Sequence, residues 1–418
     1  MFVNYFADSE RSSPVNLAVG RTILTVWLVW KTAMYDWNEF FEVPFYLTPE
    51  FTWAVPPVAP GLFMTAEKWV LIGLLVLFAV GYRVRFTGGV SALVLAHFGA
   101  VREIQNNSGE TQALFLGVYF LLFYSLFSET HVLSADGLRQ TKDWSVDSLR
   151  SFIVSGRDSY QLPALKWSLL VIAMIYFGSG FNKLFPDGPF GGFHAGYFGS
   201  VTLSRIIVVR DAVYQWHVPI GPALVEYPVL ITAGSIGTLV VEMGLLVAVL
   251  LGITITPFVV GLLGFQTAVV VLLGILFVDT YPILLTFFAW DRVYERLVAD
   301  RQIDVVFDGQ CYFCMRSLYL FKLLDVNGTI EFVPQAATPE KYASRDDVDF
   351  QSAMYVFDGE IAYEGYYAFR ELIRQYRVFF PLVWLMGLAP IAQTGRQVYQ
   401  YVAANRGAQF SCRVESDD

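Results

Sequence analysis

The chain has 418 residues, of which 55% are hydrophobic, 17% are aromatic and 16% are charged. Soluble proteins carry about 25% charged residues, so this composition, with a mean hydropathy of +0.49, favours several membrane spans and argues against a purely soluble enzyme. It excludes a disordered or fibrous chain. The net charge of −9 gives no basic surface for nucleic acid, and three cysteines are too few for a disulfide-stapled secreted scaffold.

The apolar residues are concentrated before about residue 290. Several runs with few charges are long enough, alone or with flanking residues, to cross a bilayer core of about 30 Å. Pro257 and nearby glycines indicate that the uncharged run Met243–Val278 folds back into two passes. We predict about eight spans, at Val15–Tyr35, Trp69–Tyr82, Gly88–Val101, Thr111–Ser128, Trp167–Asn182, Val229–Thr254, the second pass of Met243–Val278, and Thr280–Trp290.

Positive charges in the short loops predict the orientation of these spans, because basic loops favour the cytoplasmic side. One basic loop follows the second predicted span and another follows the fourth; they contain Arg83, Arg85, Arg139, Lys142, Arg150 and Arg157. An N-terminus inside the cell places both loops in the cytoplasm, and eight spans place the segment after Arg292 there too. The N-terminus lacks signal-peptide features, so Val15–Tyr35 is interpreted as a retained span. We therefore predict a multi-pass protein of the cell membrane with a cytoplasmic C-terminal domain.

After Arg292 charges become frequent and short apolar runs alternate with helical patterns, which is typical of a small α/β domain with its own core. The predicted strands are Ile303–Phe307, Thr329–Pro334 and Ala353–Phe357, and the predicted helices are Met315–Asp325 and Tyr366–Tyr376. The fold class is therefore an α-helical multi-pass membrane bundle, at residues 1–291, followed by a small α/β domain at residues 301–418.

Two cysteines, Cys311 and Cys314, follow the first predicted strand and open the first helix of this domain. Amide groups at a helix N-terminus stabilise a thiolate, and the spacing lets a second cysteine resolve a mixed disulfide. We expect Cys311 to be the attacking thiol and Cys314 to be the buried resolving thiol. A zinc site and an inert structural pair stay open, although only Cys412 and no histidine remain in this domain as further ligands.

The segment Asp308-Gly309-Gln310-Cys311-Tyr312-Phe313-Cys314 resembles the DGxCxxC signature of the DCC (DUF393) family of thiol–disulfide oxidoreductases. The similarity continues through Tyr363–Phe369, which resembles the family's YEGxxA segment, and through Val398–Arg406 to Cys412. It implies a thioredoxin-like fold and thiol–disulfide exchange, with Asp308 and Gly309 supporting the two cysteines. Cys412 is either a third redox thiol or incidental.

Ionisable residues inside spans mark functional sites or buried pairs. Arg21 and Lys31 fit snorkelling or structural pairing, and His97 fits a satisfied polar contact. Glu242 fits either a salt bridge to a neighbouring helix or chemistry. Lys183 ends an apolar helix, where desolvation favours a neutral amine that acts as a base. A lysine whose head reaches the membrane interface is the alternative.

The region from Val15 to Trp290 resembles the HTTM domain of vitamin K-dependent γ-carboxylase-like proteins. Gly180–Leu184 is similar to that family's GxxKL segment, whose lysine deprotonates a hydroquinone. Asn106-Asn107 and His131–Gly137 resemble its NN and HxxSxDG elements. The resemblance implies that Lys183 is the base and that His131 assists it. The aromatic loop Gly188–Gly199 fits either a cover for a lipid-soluble ring or a membrane interface.

These features predict a membrane oxidoreductase that combines thiol–disulfide exchange with a quinone or hydroquinone site in the bundle. The expected partners are membrane lipid, a quinone and a thiol or disulfide protein; no nucleic acid and no metal are expected. Two alternatives stay open. One is a carboxylase-like, hydroquinone-driven enzyme that acts on an unknown acceptor, and the other is a non-enzymatic membrane interaction protein.

Overall fold

The computed structural model of the chain describes residues 1–7, 13–36, 59–106, 112–127, 133–155, 160, 162–185, 197, 200–214, 218–275, 279–343, 345, 348–350 and 353–409. These residues fall into two compact units. The first, here called the helical unit, draws on Met1–Ser12, Asn16–Glu129 and Gln161–Ala289. The second, here called the α/β unit, draws on Ser13–Val15, Thr130–Tyr160 and Trp290–Asp418.

Ten described helices, numbered in chain order, build the helical unit. They are α1 (Pro14–Ala33), α2 (Pro60–Ala79), α3 (Val84–Asn106), α4 (Gln112–Phe127), α7 (Pro163–Leu184), α8 (Ser200–Tyr214), α9 (Ile220–Val225), α10 (Pro228–Leu250), α11 (Thr256–Leu273) and α12 (Thr280–Leu285). α2, α7 and α10 each begin with proline. The first amides of a helix have no intrahelical acceptor, so proline, which has no amide hydrogen, is well tolerated there.

Five of the described helices are long and apolar enough to cross a membrane: α2, α3, α7, α10 and α11. Many of their apolar side chains face outward, as a bundle surrounded by lipid requires. α1 has 20 residues but carries Arg21 and Lys31, and α4 has 16 residues. The count of eight spans stays a prediction.

The predicted last pass, Thr280–Trp290, differs from the structure. Its helix α12 has six residues, which corresponds to a length of about 9 Å. A helix this short does not cross a hydrocarbon core of about 30 Å by itself.

The run from Met243 to Val278 does fold back, as predicted. α10 ends at Leu250, and α11 begins at Thr256 with Pro257 in its first turn. Glycines let the two helices touch: a Cβ on Gly244 would lie 2.2 Å from Phe258 Cε1, and one on Gly261 would lie 2.4 Å from Val241 Cγ1. The contacts pair early residues of one helix with late residues of the other, so α10 and α11 are antiparallel.

The α/β unit contains four described strands in the order β2-β1-β3-β4. β1 pairs parallel with β2 and antiparallel with β3, and β3 and β4 form a hairpin. Its elements are α5 (Ala135–Gln140), α6 (Val146–Val154), α13 (Trp290–Glu295), β1 (Ile303–Phe307), α14 (Tyr312–Leu324), β2 (Ile330–Pro334), α15 (Glu340–Ala343), β3 (Tyr355–Asp358), β4 (Ile361–Glu364), α16 (Tyr366–Arg374), α17 (Phe380–Met386) and α18 (Ala389–Gln409).

Both faces of the central strand β1 are covered, because Ile303, Val305, Val306 and Phe307 are all buried. On one face, Val306 packs in a cluster with Val333, Tyr342, Ala353, Tyr355 and Phe357. The sequence of a strand that is buried on both faces is a nearly continuous run of apolar residues. This is why the sequence predicts β1 at its observed bounds.

Candidate active site

The two cysteines lie where β1 passes into α14. β1 ends at Phe307, a three-residue turn follows, and Cys311 is the N-cap residue of α14 with extended backbone angles. The carbonyl of Cys311 accepts the amide hydrogen of Met315 at 3.1 Å, which closes the first helical turn. Cys314 lies within that turn. The predicted placement of the pair at a helix N-terminus is therefore present in the structure.

Asp308 organises the turn in front of Cys311. Its Oδ1 accepts the backbone amide hydrogens of Gln310, at 2.9 Å, and of Cys311, at 3.1 Å. A carboxylate that accepts amides two and three residues ahead forms an Asx-type turn, which fixes the backbone before a helix. Asp308 thus positions Cys311 and places a negative charge close to it.

The burial of the two cysteines is the reverse of our expectation. Cys311 is 0% exposed, whereas Cys314 is half-buried and carries a thiol. Cys311 is disulfide-bonded, so its sulfur is both covered and covalently engaged. The prediction that Cys314 is the buried member of the pair is wrong. Cys412 lies outside the described residues.

Gly309 lets two other elements approach the cysteine turn. A Cβ at this position would lie 3.0 Å from Pro334 Cβ, at the end of β2, and 3.4 Å from Arg150 Cδ, on α6. Either contact is tight for a real side chain, so glycine keeps the turn closely packed. The Arg150 side chain, which also pairs with Asp147, brings a cation beside the motif.

Residues 133–155 contact the cysteine helix α14 along its length. Tyr312 Oη donates to the Thr141 carbonyl, Arg316 Nη2 donates to the Leu138 carbonyl at 3.1 Å, and Lys322 Nζ donates to the Ser155 carbonyl. The donors lie about 170 residues after their acceptors. No local pattern in the sequence signals so distant a contact, so the sequence does not predict that this segment adjoins the cysteine helix.

Aromatic rings complete this contact. Tyr319 on α14 is fully buried, with ring centroids 6.1 Å from Trp144 and 5.3 Å from Phe152. Burial raises the pKa of the Tyr319 hydroxyl, so it stays protonated.

Beyond the end of α14, burial also raises the pKa of the Asp325 carboxyl, against hydrogen bonds from Thr329 and Ile330 that lower it.

Lys183, the predicted base, forms an ion pair with Glu242 between α7 and α10. Its Nζ lies 2.5 Å from each carboxylate oxygen of Glu242. Ser179 Oγ lies 3.2 Å from both Lys183 Nζ and Glu242 Oε1. The Glu242 side chain is 2% exposed. The sequence allowed two interpretations of Glu242, and the structure contains the first of them, a salt bridge to a neighbouring helix.

The glycine-rich approach to Lys183 serves helix packing. A Cβ on Gly180 would lie 2.7 Å from Met243 Cγ and 3.3 Å from Glu242 Cβ. Small residues at such positions let apolar helices come close. Gly180 therefore allows α7 to bring Lys183 within reach of Glu242.

A second polar group on α11 lies near this pair. Gln266 is 6% exposed, and its Oε1 has no hydrogen-bond partner within the part of the chain that the structure describes. Tyr176, on α7, lies near Gln266, Thr280 and Glu242. Next to Gln266 in the chain, the Phe265 ring centroid lies 5.5 Å from Lys183 Nζ. An orphaned acceptor in an apolar bundle is costly and marks a place for a donor.

The other residues singled out from the bundle have local explanations. Lys31 pairs with Asp279 at 2.9 Å, Arg21 Nε donates to the Ala79 carbonyl at 3.2 Å, and His97 Nδ1 lies 2.8 Å from Glu67 Oε1. Their structural interpretation is supported.

His131 and Asn107 lie outside the described residues, and of the loop Gly188–Gly199 only Tyr197 is described. Ser134, from the same predicted element as His131, is the N-cap of α5, because its Oγ accepts the Gly137 amide hydrogen at 2.9 Å. Ser134 and Lys183 belong to different compact units. Among the residues placed by the structure, no group of three histidine, cysteine or acidic side chains could hold a metal ion.

The comparison with protein families addresses the cysteine-containing part directly. Residues 305–412 match the family model of the DCC1-like thiol-disulfide oxidoreductases. The match covers the cysteine turn, the sheet and the helices after it. It does not extend to the helical unit, so the HTTM-like resemblance stays a prediction. Neither the curated proteins nor the solved structures contain a significant match to the chain.

Proposed function

We propose that this chain is an integral membrane oxidoreductase that exchanges thiols and disulfides at Cys311 and Cys314. The observation that carries the proposal is the CxxC pair at the junction of β1 and α14, in a segment that matches a thiol-disulfide oxidoreductase family. The element order β1-α14-β2-α15-β3-β4-α16, with sheet order β2-β1-β3-β4, supports the thioredoxin-like fold that the resemblance implies.

The exchange conserves atoms and electrons. A thiolate of the reduced pair attacks a disulfide of a protein partner and forms a mixed disulfide, while the partner's leaving sulfur takes up a proton. The second thiolate of the pair then attacks the mixed disulfide and releases the partner as a dithiol. In total, two electrons and two protons pass to the partner, and the pair becomes oxidised.

Single-cysteine variants test this activity in the full chain, reconstituted in nanodiscs with a disulfide-bonded model protein as substrate. Cys311→Ser and Cys314→Ser should each lower turnover by about 100-fold or more, because either loss stops the two-step exchange. The variant that keeps the attacking thiol should accumulate a mixed disulfide on a non-reducing gel. Cys412→Ser tests the third cysteine separately, because Cys311 is disulfide-bonded while Cys314 carries a thiol. Thr394→Ser, at an exposed position on α18, is the control. Full turnover in both CxxC variants would overturn the proposal.

We propose that the helical unit lies in a membrane and that it binds a quinone or hydroquinone. The observation that favours this second activity is the buried group of Lys183, Glu242, Tyr176 and Gln266. A hydroquinone hydroxyl is a donor that Gln266 Oε1 lacks. Lys183 would then act as the base, with Glu242 as the carboxylate that shares its proton.

This proposal is tested by binding of a short-chain benzoquinol analogue to the chain in nanodiscs. Gln266→Leu should weaken binding by about tenfold, because it removes one buried hydrogen-bond acceptor. Thr267→Val, at an exposed neighbouring position, is the control. Lys183→Met is a less direct probe, because it also leaves the Glu242 charge buried without its partner. Unchanged binding in Gln266→Leu would contradict the assigned site.

A coupling of the two activities is part of the proposal. A dithiol at Cys311 and Cys314 would reduce a quinone to a hydroquinone, with transfer of two electrons and two protons and formation of a disulfide. Quinone reduction in the reconstituted chain should then be lost in Cys311→Ser. Unchanged quinone turnover in that variant would separate the two activities.

A further inference from the structure

Near the end of the α/β unit, a short helix presents apolar side chains to the outside. The segment comprises the 3-10 turn Arg377–Phe379, helix α17 and the residues up to Leu388. Its large hydrophobic side chains that are 37–68% exposed are Val378, Phe379, Phe380, Leu382, Trp384, Leu385 and Leu388. Here this set is called the α17 patch. Within α17, Val383 is the buried exception, at 5% exposure.

The α17 patch is held in place by contacts on its inner side. Val383 is buried, and the Met386 carbonyl accepts a hydrogen bond from Tyr366 Oη at 2.9 Å. A Cβ on Gly387 would lie 3.1 Å from Arg370 Nη2, and one on Gly395 would lie 2.1 Å from the Tyr366 ring. Because these contacts fix the helix on the unit, its outward apolar side chains have no inner surface to turn towards.

The chain bends sharply after the α17 patch. The segments Arg377–Met386 and Ala389–Asn405 are together apolar enough for a membrane helix, but they meet at an angle of 91°. A continuous span needs a straight run of about 20 residues. The bend instead leaves α17 as a short apolar protrusion, which suits insertion into one face of a bilayer.

The charges around the α17 patch complement a lipid surface. Residues 372–405 contain no Asp or Glu and three arginines, Arg374, Arg377 and Arg396, in a chain whose net charge is −9. Arg374 pairs with Glu371 at 3.3 Å, so Arg377 and Arg396 are the arginines assigned to the lipid surface. All three arginines are exposed. Exposed tryptophan and phenylalanine flanked by arginine are the composition of interfacial membrane anchors, because aromatic rings enter the headgroup region and guanidinium groups meet anionic phosphates.

We propose that the α17 patch inserts into the interfacial layer of a bilayer that contains anionic lipid, and that the nearby arginines bind the headgroups. The proposal rests on the membrane location given under the proposed function. It is independent of the thiol and quinone chemistry. A lipid surface, rather than a second protein, explains both the acid-free arginine segment and the bent apolar pair.

Photolabelling of the wild-type chain tests this proposal. The chain is reconstituted in nanodiscs of phosphatidylcholine with 0 or about 30 mol% phosphatidylglycerol, a mixture chosen to give a strongly anionic surface, plus a phosphatidylcholine with a diazirine in its acyl chain. Mass spectrometry should find adducts on residues 377–388, as on α11, and none on the exposed strand residue Glu331. Labelled α11 without labelled 377–388 would overturn the proposal.

Two variants separate the apolar and the charged contributions. Phe380→Ser with Trp384→Ser should lower the adduct yield on 377–388 at least threefold in both lipids. Arg377→Gln with Arg396→Gln should lower it at least threefold only with phosphatidylglycerol. Yields on α11 in each variant show that the chain is inserted. If instead residues 377–388 cross-link to a second copy of the chain and not to lipid, the α17 patch is a protein interface and the proposal is wrong.

Discussion

Asp308 has two opposing effects on Cys311. It accepts the amide hydrogens of Gln310 and Cys311 and so holds the turn in its observed form. It also places a carboxylate on the backbone amide of the residue whose thiol must ionise in order to react. A neighbouring negative charge disfavours a thiolate, whereas the positive end of a helix stabilises one.

Replacement of Asp308 by Asn should therefore make the reduced Cys311 thiol react faster with an alkylating agent. Asn keeps an oxygen that accepts the two amide hydrogens and removes the charge. The measurement is the alkylation rate at neutral pH in the reduced chain, in a background of Cys314→Ser and Cys412→Ser. We expect the rate to rise by roughly threefold or more, because a neighbouring negative charge no longer disfavours the thiolate.

Asp304→Asn is the matched control, because Asp304 lies on β1, four residues before Asp308 and so about 13 Å away along the strand. It should leave the alkylation rate of Cys311 unchanged. An unchanged rate in Asp308→Asn as well would mean that the carboxylate does not influence Cys311.

At the residue scale, the sequence predicts the position of the cysteines but not their burial. The CxxC motif after an apolar strand predicts a pair at a helix N-terminus, and Cys311 is found there. Which sulfur faces outward depends on what covers the turn. Pro334 and Arg150, which come from β2 and α6, lie against Gly309. Such contacts between distant segments leave no pattern in the local sequence.

At the scale of elements, the buried strands were the most predictable. Ile303–Phe307 is observed at its predicted bounds, and the other two predicted strands overlap β2 and β3. β4 was missed, because it has four residues and both of its ends are exposed. An edge strand of this kind lacks the apolar run that identifies a buried one.

Helix pairing was less predictable than helix position. Lys183 and Glu242 each stood out as ionisable residues in apolar segments, but nothing in their spacing joined them across 59 residues. The pairing follows from the close approach of α7 and α10 at Gly180. Because a buried charge is less costly when it is paired, the ion pair accounts for both charged side chains without any chemistry. The orphaned Gln266 oxygen points beyond this structural role.

For the whole molecule, the composition of the α/β unit constrains the topology of the proposed membrane protein. This unit combines Ser13–Val15, residues 133–155 and the C-terminal domain. A compact unit outside the membrane lies on one side of it, so an even number of crossings must separate its segments. The predicted crossings by α1 and α4, together with the candidate spans α2 and α3, would give four before residue 133. Between residues 155 and 290, the described helices include three candidate spans, α7, α10 and α11. An even number then requires that a further segment also crosses or that one of the three does not.

Because both lie in the α/β unit, we predict that Lys142 and Glu360 lie on the same side of the membrane. Both side chains are exposed, and they belong to sequence-distant parts of the α/β unit. Single cysteines at Lys142→Cys and Glu360→Cys, in a background without the native cysteines, should both be protected from a membrane-impermeant maleimide in intact cells. Both should react after permeabilisation. This result places them in the cytoplasm, where the basic loops predict them to be.

Asp36→Cys provides the opposite-side control, because the predicted crossing by α1 separates it from Ser13. It should react in intact cells. If Lys142→Cys and Glu360→Cys react on opposite sides of the membrane, α14 and residues 133–155 cannot be in contact in the inserted protein. In that case the hydrogen bonds of Tyr312 and Arg316 to that segment would not form in the inserted protein. Equal accessibility of the two positions would support an even number of crossings between residues 155 and 290.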